Sequence, residues 1–243
     1  MTAGFVGAWQ MAVDTIGLVV NFLQALIPAY FLSVAFCTGS ATALVFYQGI
    51  LLAIGLVDMV ILHLLLPLVN VYLVLMLVDQ FQQEKSLNQV ARLIRMVVIW
   101  GARTLFGMII GIQTIQGMLL PLSDKLKRSL VYKAAEMLPG VGNAIGGTAE
   151  TILSTGMLFK NAVGVAGLLL LGLLTLAPMV NLLIQCLLHR VSAGILQPVS
   201  DKRIIGSLES AAEAARLLLY LTGITILLFA LAISVVAIST GVN

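Results

Sequence analysis

A chain of 243 residues in which 60% of side chains are hydrophobic and 9% are charged lies far from soluble domains, where about 25% are charged. Its mean hydropathy of +1.11 and its long, non-alternating apolar runs exclude a β-barrel and define an all-α, polytopic transmembrane helical bundle. The net charge of +3, from thirteen basic and ten acidic residues, falls in the breaks between apolar runs. That placement points to membrane orientation and lipid headgroups, with no nucleic-acid partner.

In chain order, the opening residues 1–13 lack the basic segment that starts a cleaved signal, so the first apolar block, about 4–36, is expected to begin a membrane segment directly. No charge interrupts residues 15–57. The second block, 41–81, is too long for one span: residues 44–81 as a single helix would measure about 57 Å, against a core of about 30 Å. Pro67 lies in this block and Pro178 in the block 150–189. Proline lacks a donor and crowds the preceding turn, which predicts a tight helical hairpin or a broken helix at each, with Asn70 and Asn181 capping or bridging the turns. Cys37 and Cys186 stand in apolar surroundings without ligand spacing and read as buried thiols, and no metal site or cofactor is expected.

A polar break at 82–95 leads to a span at 96–120 containing Gly107-xxx-Gly111, a spacing that lets helices approach closely. The basic stretch 122–138, with Lys125, Lys127, Arg128 and Lys133, suits the membrane surface. The stretch 138–161, "LPGVGNAIGGTAETILSTGMLFKN", is rich in small and polar residues. Its Gly140-x-Gly142-x-x-x-Gly146 pattern is no dinucleotide fingerprint, since no strand precedes it. Two readings remain open. In one, Gly142 and Gly146 serve tight packing. In the other, a broken or re-entrant element led by Pro139 turns Glu150, Thr151, Lys160 and Asn161 toward a polar cavity. Gln197-Pro198 then marks the turn before the last block, 211–240.

Two prolines tie the halves together. Leu65-x-Pro67-x-Val69-Asn70 recurs as Leu176-x-Pro178-x-Val180-Asn181, and the same shift carries Pro28 onto Pro139. One integral membrane domain, 1–243, is therefore read as two related halves, about 1–120 and 121–243, a common construction of transporters. Three spans per half are expected, which would invert the second copy. Seven Lys or Arg in 121–137 and 189–203 against three in 82–95 place the former breaks in the cytoplasm and the C-terminus outside.

Asp14, Asp58, Arg103 and Glu150 lie within or beside apolar blocks, where a central charge costs about 2.5–3.5 kcal/mol and calls for a partner or water. Asp58 is the most isolated; it is either an ion or proton site or a carboxyl hydrogen-bonded across a helix interface. His63, five residues on, falls on a different face of an α-helix. No catalytic motif is present and an enzyme is not expected.

The ordered set "GIQTIQG" (111–117), Pro139 to Gly142, Glu150-Thr151, Lys160-Asn161-x-x-Gly164-x-x-Gly167 and Gln197-Pro198 resembles the C-terminal membrane region of the stage III sporulation protein AE family. In that family an aspartate is common at the place of Glu150, and a leucine at that of Phe159. The motifs cover roughly 110–243, and the first half matches by layout. The resemblance implies a multi-pass protein of the mother-cell membrane facing the forespore. It would serve a channel or secretion-like complex, with the other stage III A-operon membrane, ATPase and ring-forming proteins as partners. A free-standing secondary transporter using Asp58 and Glu150, or a non-transporting scaffold with Gly107, Gly111, Gly146, Gly164 and Gly167 as packing positions, are the alternatives.

Overall fold

The computed structural model describes the backbone of residues 2–38, 40–81, 87–136, 142–198 and 200–239, and the side chains of 4–35, 43–80, 87–117, 154–198 and 200–237. Among these, all regular structure is helical: α1 Thr2–Thr38, α2 Ser40–Leu56, a π-helical segment Val57–Leu65, α3 Leu66–Phe81, α4 Leu87–Glu136, α5 Gly142–Leu196 and α6 Lys202–Ser239. Five stretches are long and apolar enough to cross a membrane: Gly4–Ala35, Ala43–Gln80, Leu87–Gly117, Ser154–Leu196 and Lys202–Ala237.

The expected hairpins at Pro67 and Pro178 do not form. Pro178 lies inside α5 and Pro28 inside α1, while Pro67 is the second residue of α3. Asn70 and Asn181 are therefore interior positions of α3 and α5, with no turn to cap. The physical reason is the apolar surroundings: a chain that leaves the helix there strands every backbone polar group, whereas one missing N–H at a proline is tolerated in membrane helices. At Pro67 the chain adjusts in register instead. The N–H of Leu66 donates to the Ile61 carbonyl, an i→i−5 bond of the π type, so the ladder is already widened where the proline ring would crowd the carbonyl of residue 63. The chain thus stays helical through Pro67, with a π segment between α2 and α3.

The connections have clear local causes. Asp79, 2% exposed at the end of α3, accepts a hydrogen bond from the N–H of Leu87 at 3.1 Å. It thereby satisfies an unpaired donor at the start of α4 and places negative charge at a helix N-terminus. Gln197 and Pro198 lie in the turn after α5, where the N–H of Ser200 donates to the Leu196 carbonyl at 2.9 Å. Asp201 caps α6 by accepting from the N–H of Arg203 at 3.3 Å, as aspartate does at N-caps.

The chain forms two compact units. The first comprises Met1–Val20, Ile54–Gly107 and Gly172–Leu227, the second Asn21–Ala53, Met108–Leu171 and Leu228–Asn243. In the first unit Ala8 and Ala12 of α1, Ala91 and Ala102 of α4, and Ala211, Ala212, Ala214 and Ala215 of α6 are buried beside bulkier residues such as Ile16, Ile61, Leu65, Leu182 and Leu218. Buried hydroxyls bond back along their own helices, Thr222 to the Leu218 carbonyl and Thr225 to the Leu221 carbonyl, both at 2.9 Å. Bulky residues point outward, among them Trp100 at 68% and Leu173 at 70% exposure. Exposed bulky apolar side chains suit helices in lipid, where apolar surface need not be hidden, and small buried residues let helices approach closely. In the second unit Leu23, Ile27 and Tyr30 of α1, Phe46 and Ile50 of α2, Lys160 and Leu171 of α5, and Phe229, Ile233 and Val236 of α6 are all buried.

Candidate intramembrane polar site

Lys160 is 0% exposed and heads the largest fully buried side chains. Its Nζ donates to the carbonyl of Ala237 at 2.9 Å. Ala237 lies in the last turn of α6, whose final carbonyls have no partner within the helix, and a cation there faces the negative end of the helix dipole. The same stripe of α5 continues through Gly164, Gly167 and Leu171, at i+4, i+7 and i+11 from the lysine, and all are buried. A Cβ at Gly164 would stand 3.4 Å from the Tyr30 hydroxyl and 3.5 Å from the Ala237 Cβ; at Gly167 it would stand 2.9 Å from a Leu26 methyl. The Tyr30 hydroxyl in turn donates to the Ile233 carbonyl at 3.2 Å. Spaced glycines thus bring α1 and α6 against α5 around a lysine that closes the end of α6.

Asn161, next to Lys160 along α5, is exposed, because neighbouring helical residues diverge around the axis. The two do not share one cavity. Side chains of Glu150, Thr151 and Gly146 lie outside the described residues, as does Pro139 entirely, and Gly142 is placed only as the first residue of α5.

Asp58 belongs to the other unit, and its carboxylate is 52% exposed on the outer face of the π-segment, beside His63 at 72%. His63 Nδ1 lies 2.8 Å from the Asp58 carbonyl and 3.7 Å from its carboxylate. A carbonyl only accepts, so this contact places a proton on Nδ1. The expectation that a five-residue separation splits the pair fails because the π register brings i+5 back over i.

Other candidates separate. Arg103 donates through Nε to the Tyr220 hydroxyl at 3.2 Å. Asp14 lines an open groove of about 390 Å³ with Gln10, Thr15, Leu174 and Pro178. Asn70 and Asn181 are exposed. Gly107 and Gly111 meet nothing within 4 Å, so their face of α4 is not packed within the described chain.

Sequence reasoning passed over a charged cluster in the first unit. Arg95 bonds Glu213 at 2.7 Å, and Arg216 approaches the same carboxylate at 3.6 Å. Beside it a cavity of about 260 Å³ is lined by Cys186, Arg190, Gln197, Glu209 and Glu213. Opposite charges near the starts of the third and fifth spans, Leu87–Gly117 and Lys202–Ala237, are the signal that could have found it. Gln113, 2% exposed, was also missed as a single residue; neither atom of its amide has a partner. Among the described residues no three His, Cys, Asp or Glu side chains gather as a metal site.

Among the described residues, five long apolar helices, with a capped lysine inside and many bulky apolar side chains exposed, define a polytopic helical membrane protein. The family model described as Stage III sporulation protein AE matches residues 1–240, and the chain belongs to that family. The match takes in the first half, where the motifs had matched by layout alone. The Stage III sporulation protein AE of Bacillus subtilis (strain 168) is 24% identical over 230 residues, which cover 94% of this chain and 58% of that protein. The chain thus spans less than two thirds of that relative's length. No solved structure matches it. The family is one of sporulation proteins, and its description names no enzymatic activity.

Proposed function

We propose that the chain is a membrane component of a channel or secretion-like complex between mother cell and forespore, with a transport or export-platform role. Its partners would be the other stage III A-operon proteins: membrane, ATPase and ring-forming components. Family membership over residues 1–240 carries this reading. The described polar groups fit a part of an assembly better than a self-contained carrier. Lys160 is committed to a helix end, and Asp58 faces outward, where a second protein can meet it. In this proposal the two halves, about 1–120 and 121–243, are related copies.

The test is flux across liposomes that contain only this protein. The proposal expects no flux of ions or small solutes from the chain alone. Flux from the chain alone that is abolished by D58N would make it a free-standing secondary transporter and overturn the proposal.

A further inference from the structure

Asp58 and His63 stand near the middle of the apolar stretch Ala43–Gln80. Fifteen residues precede Asp58 within that stretch and seventeen follow His63. At 1.5 Å per residue either flank exceeds 20 Å, more than half of a core of about 30 Å. Both side chains nonetheless point away from their own protein, 52% and 72% exposed. Ionisable groups at this depth almost always face a bundle interior or a cavity, because lipid cannot solvate them. Their mutual contact does not resolve this: at 3.7 Å it is longer than a charge-assisted hydrogen bond of about 2.7–2.9 Å.

The surroundings say what covers the pair. Met59 at 70% and Leu64 at 53% exposure flank it, so the face is too apolar for the wall of a water-filled path, and lipid, which suits Met59 and Leu64, leaves the two ionisable groups unsolvated. Gly55, one turn before Met59, is exposed with nothing within 4 Å of its Cβ position, which permits a second backbone to approach. The face also carries both an acid and a base. A twofold axis along the membrane normal brings the same patch of two copies together at the same depth, so each residue meets its counterpart's neighbours reciprocally. Such an interface supplies a base to each Asp58 and an acid to each His63 without any other protein.

We propose that the outward face of Gly55–Leu64 is an interface between two copies of this chain, in which Asp58 of each copy pairs with His63 of the other. This rests on depth, exposure and charge complementarity, and is independent of the sporulation reading.

The test uses the full chain in native membranes, with Cys37 and Cys186 replaced by alanine and M59C introduced. Oxidation should give a covalent species of twice the chain's mass, while L173C, on an exposed face of α5, should not. D58H or H63D alone should lower the yield by about tenfold, the factor set by about 1.4 kcal/mol of lost pairing. The double variant D58H/H63D should restore it. M59C itself alters an exposed position, so its result does not depend on the folding of the charge variants. No dimer from M59C, a cross-linked species of any other mass, or equal yields from the single and double charge variants would each overturn the proposal.

Discussion

Lys160 stands in the sequence as one of several polar residues of the stretch 138–161, with Glu150, Thr151 and Asn161. One partner of Lys160 is the backbone carbonyl of Ala237, 77 residues away. A carbonyl is present at every position, so no residue pattern could have marked it. K160M should keep the bulk and lose the cap, lowering stability by about 1–3 kcal/mol, the cost of stranding a buried acceptor; thermal unfolding in detergent measures it. The two glycines that follow are more legible, because their spacing already put them on the lysine's face. A larger residue at Gly167 must displace Leu26, whose methyl would lie 2.9 Å from a new Cβ. G167V should therefore destabilise by about 1–3 kcal/mol through overpacking. The double variant G167V/L26A should recover part of that loss, a coupling read by a double-mutant cycle. Additive effects would mean that the two helices do not meet there.

At the scale of elements, the apolar runs were read correctly as membrane helices, and their interruptions were not. Length arithmetic called for a break in 44–81 and 150–189, and proline supplied an obvious place for it. The structure keeps both runs helical through their prolines, since lipid offers no partners to a backbone that unwinds. The π-segment before Pro67 was invisible for a different reason: its register is a backbone choice, and side-chain periodicity over nine residues cannot distinguish it. That choice decides the neighbourhood of Asp58, because only an i→i−5 ladder sets His63 above it. P67A restores the missing N–H and removes the crowding, so the segment should relax toward the α register. The distance from the Asp58 carboxyl carbon to His63 Nδ1, measured by rotational-echo NMR on labelled protein in lipid, should then lengthen. An unchanged distance would show that the π-segment owes nothing to the proline.

Over the whole molecule, composition alone points to the membrane class, and the structure adds how it is built: alanines and hydroxyls let the helices approach, leucines fill the interiors beside them, and many other leucines and Trp100 face out. Function was legible only through ordered motifs, which identify a family without stating what its chemistry is. Sites were less legible still, since Lys160, Asn161 and Asp58 point in ways that only the folded helices decide. We propose that this protein works as a membrane part of a larger sporulation assembly. Affinity isolation of the tagged chain from detergent-solubilised membranes of sporulating cells tests it most directly. The ATPase and ring-forming proteins of the stage III A operon should co-purify with it in reproducible amounts. Recovery of the chain free of all of them, from cells that are still producing them, would contradict the claim.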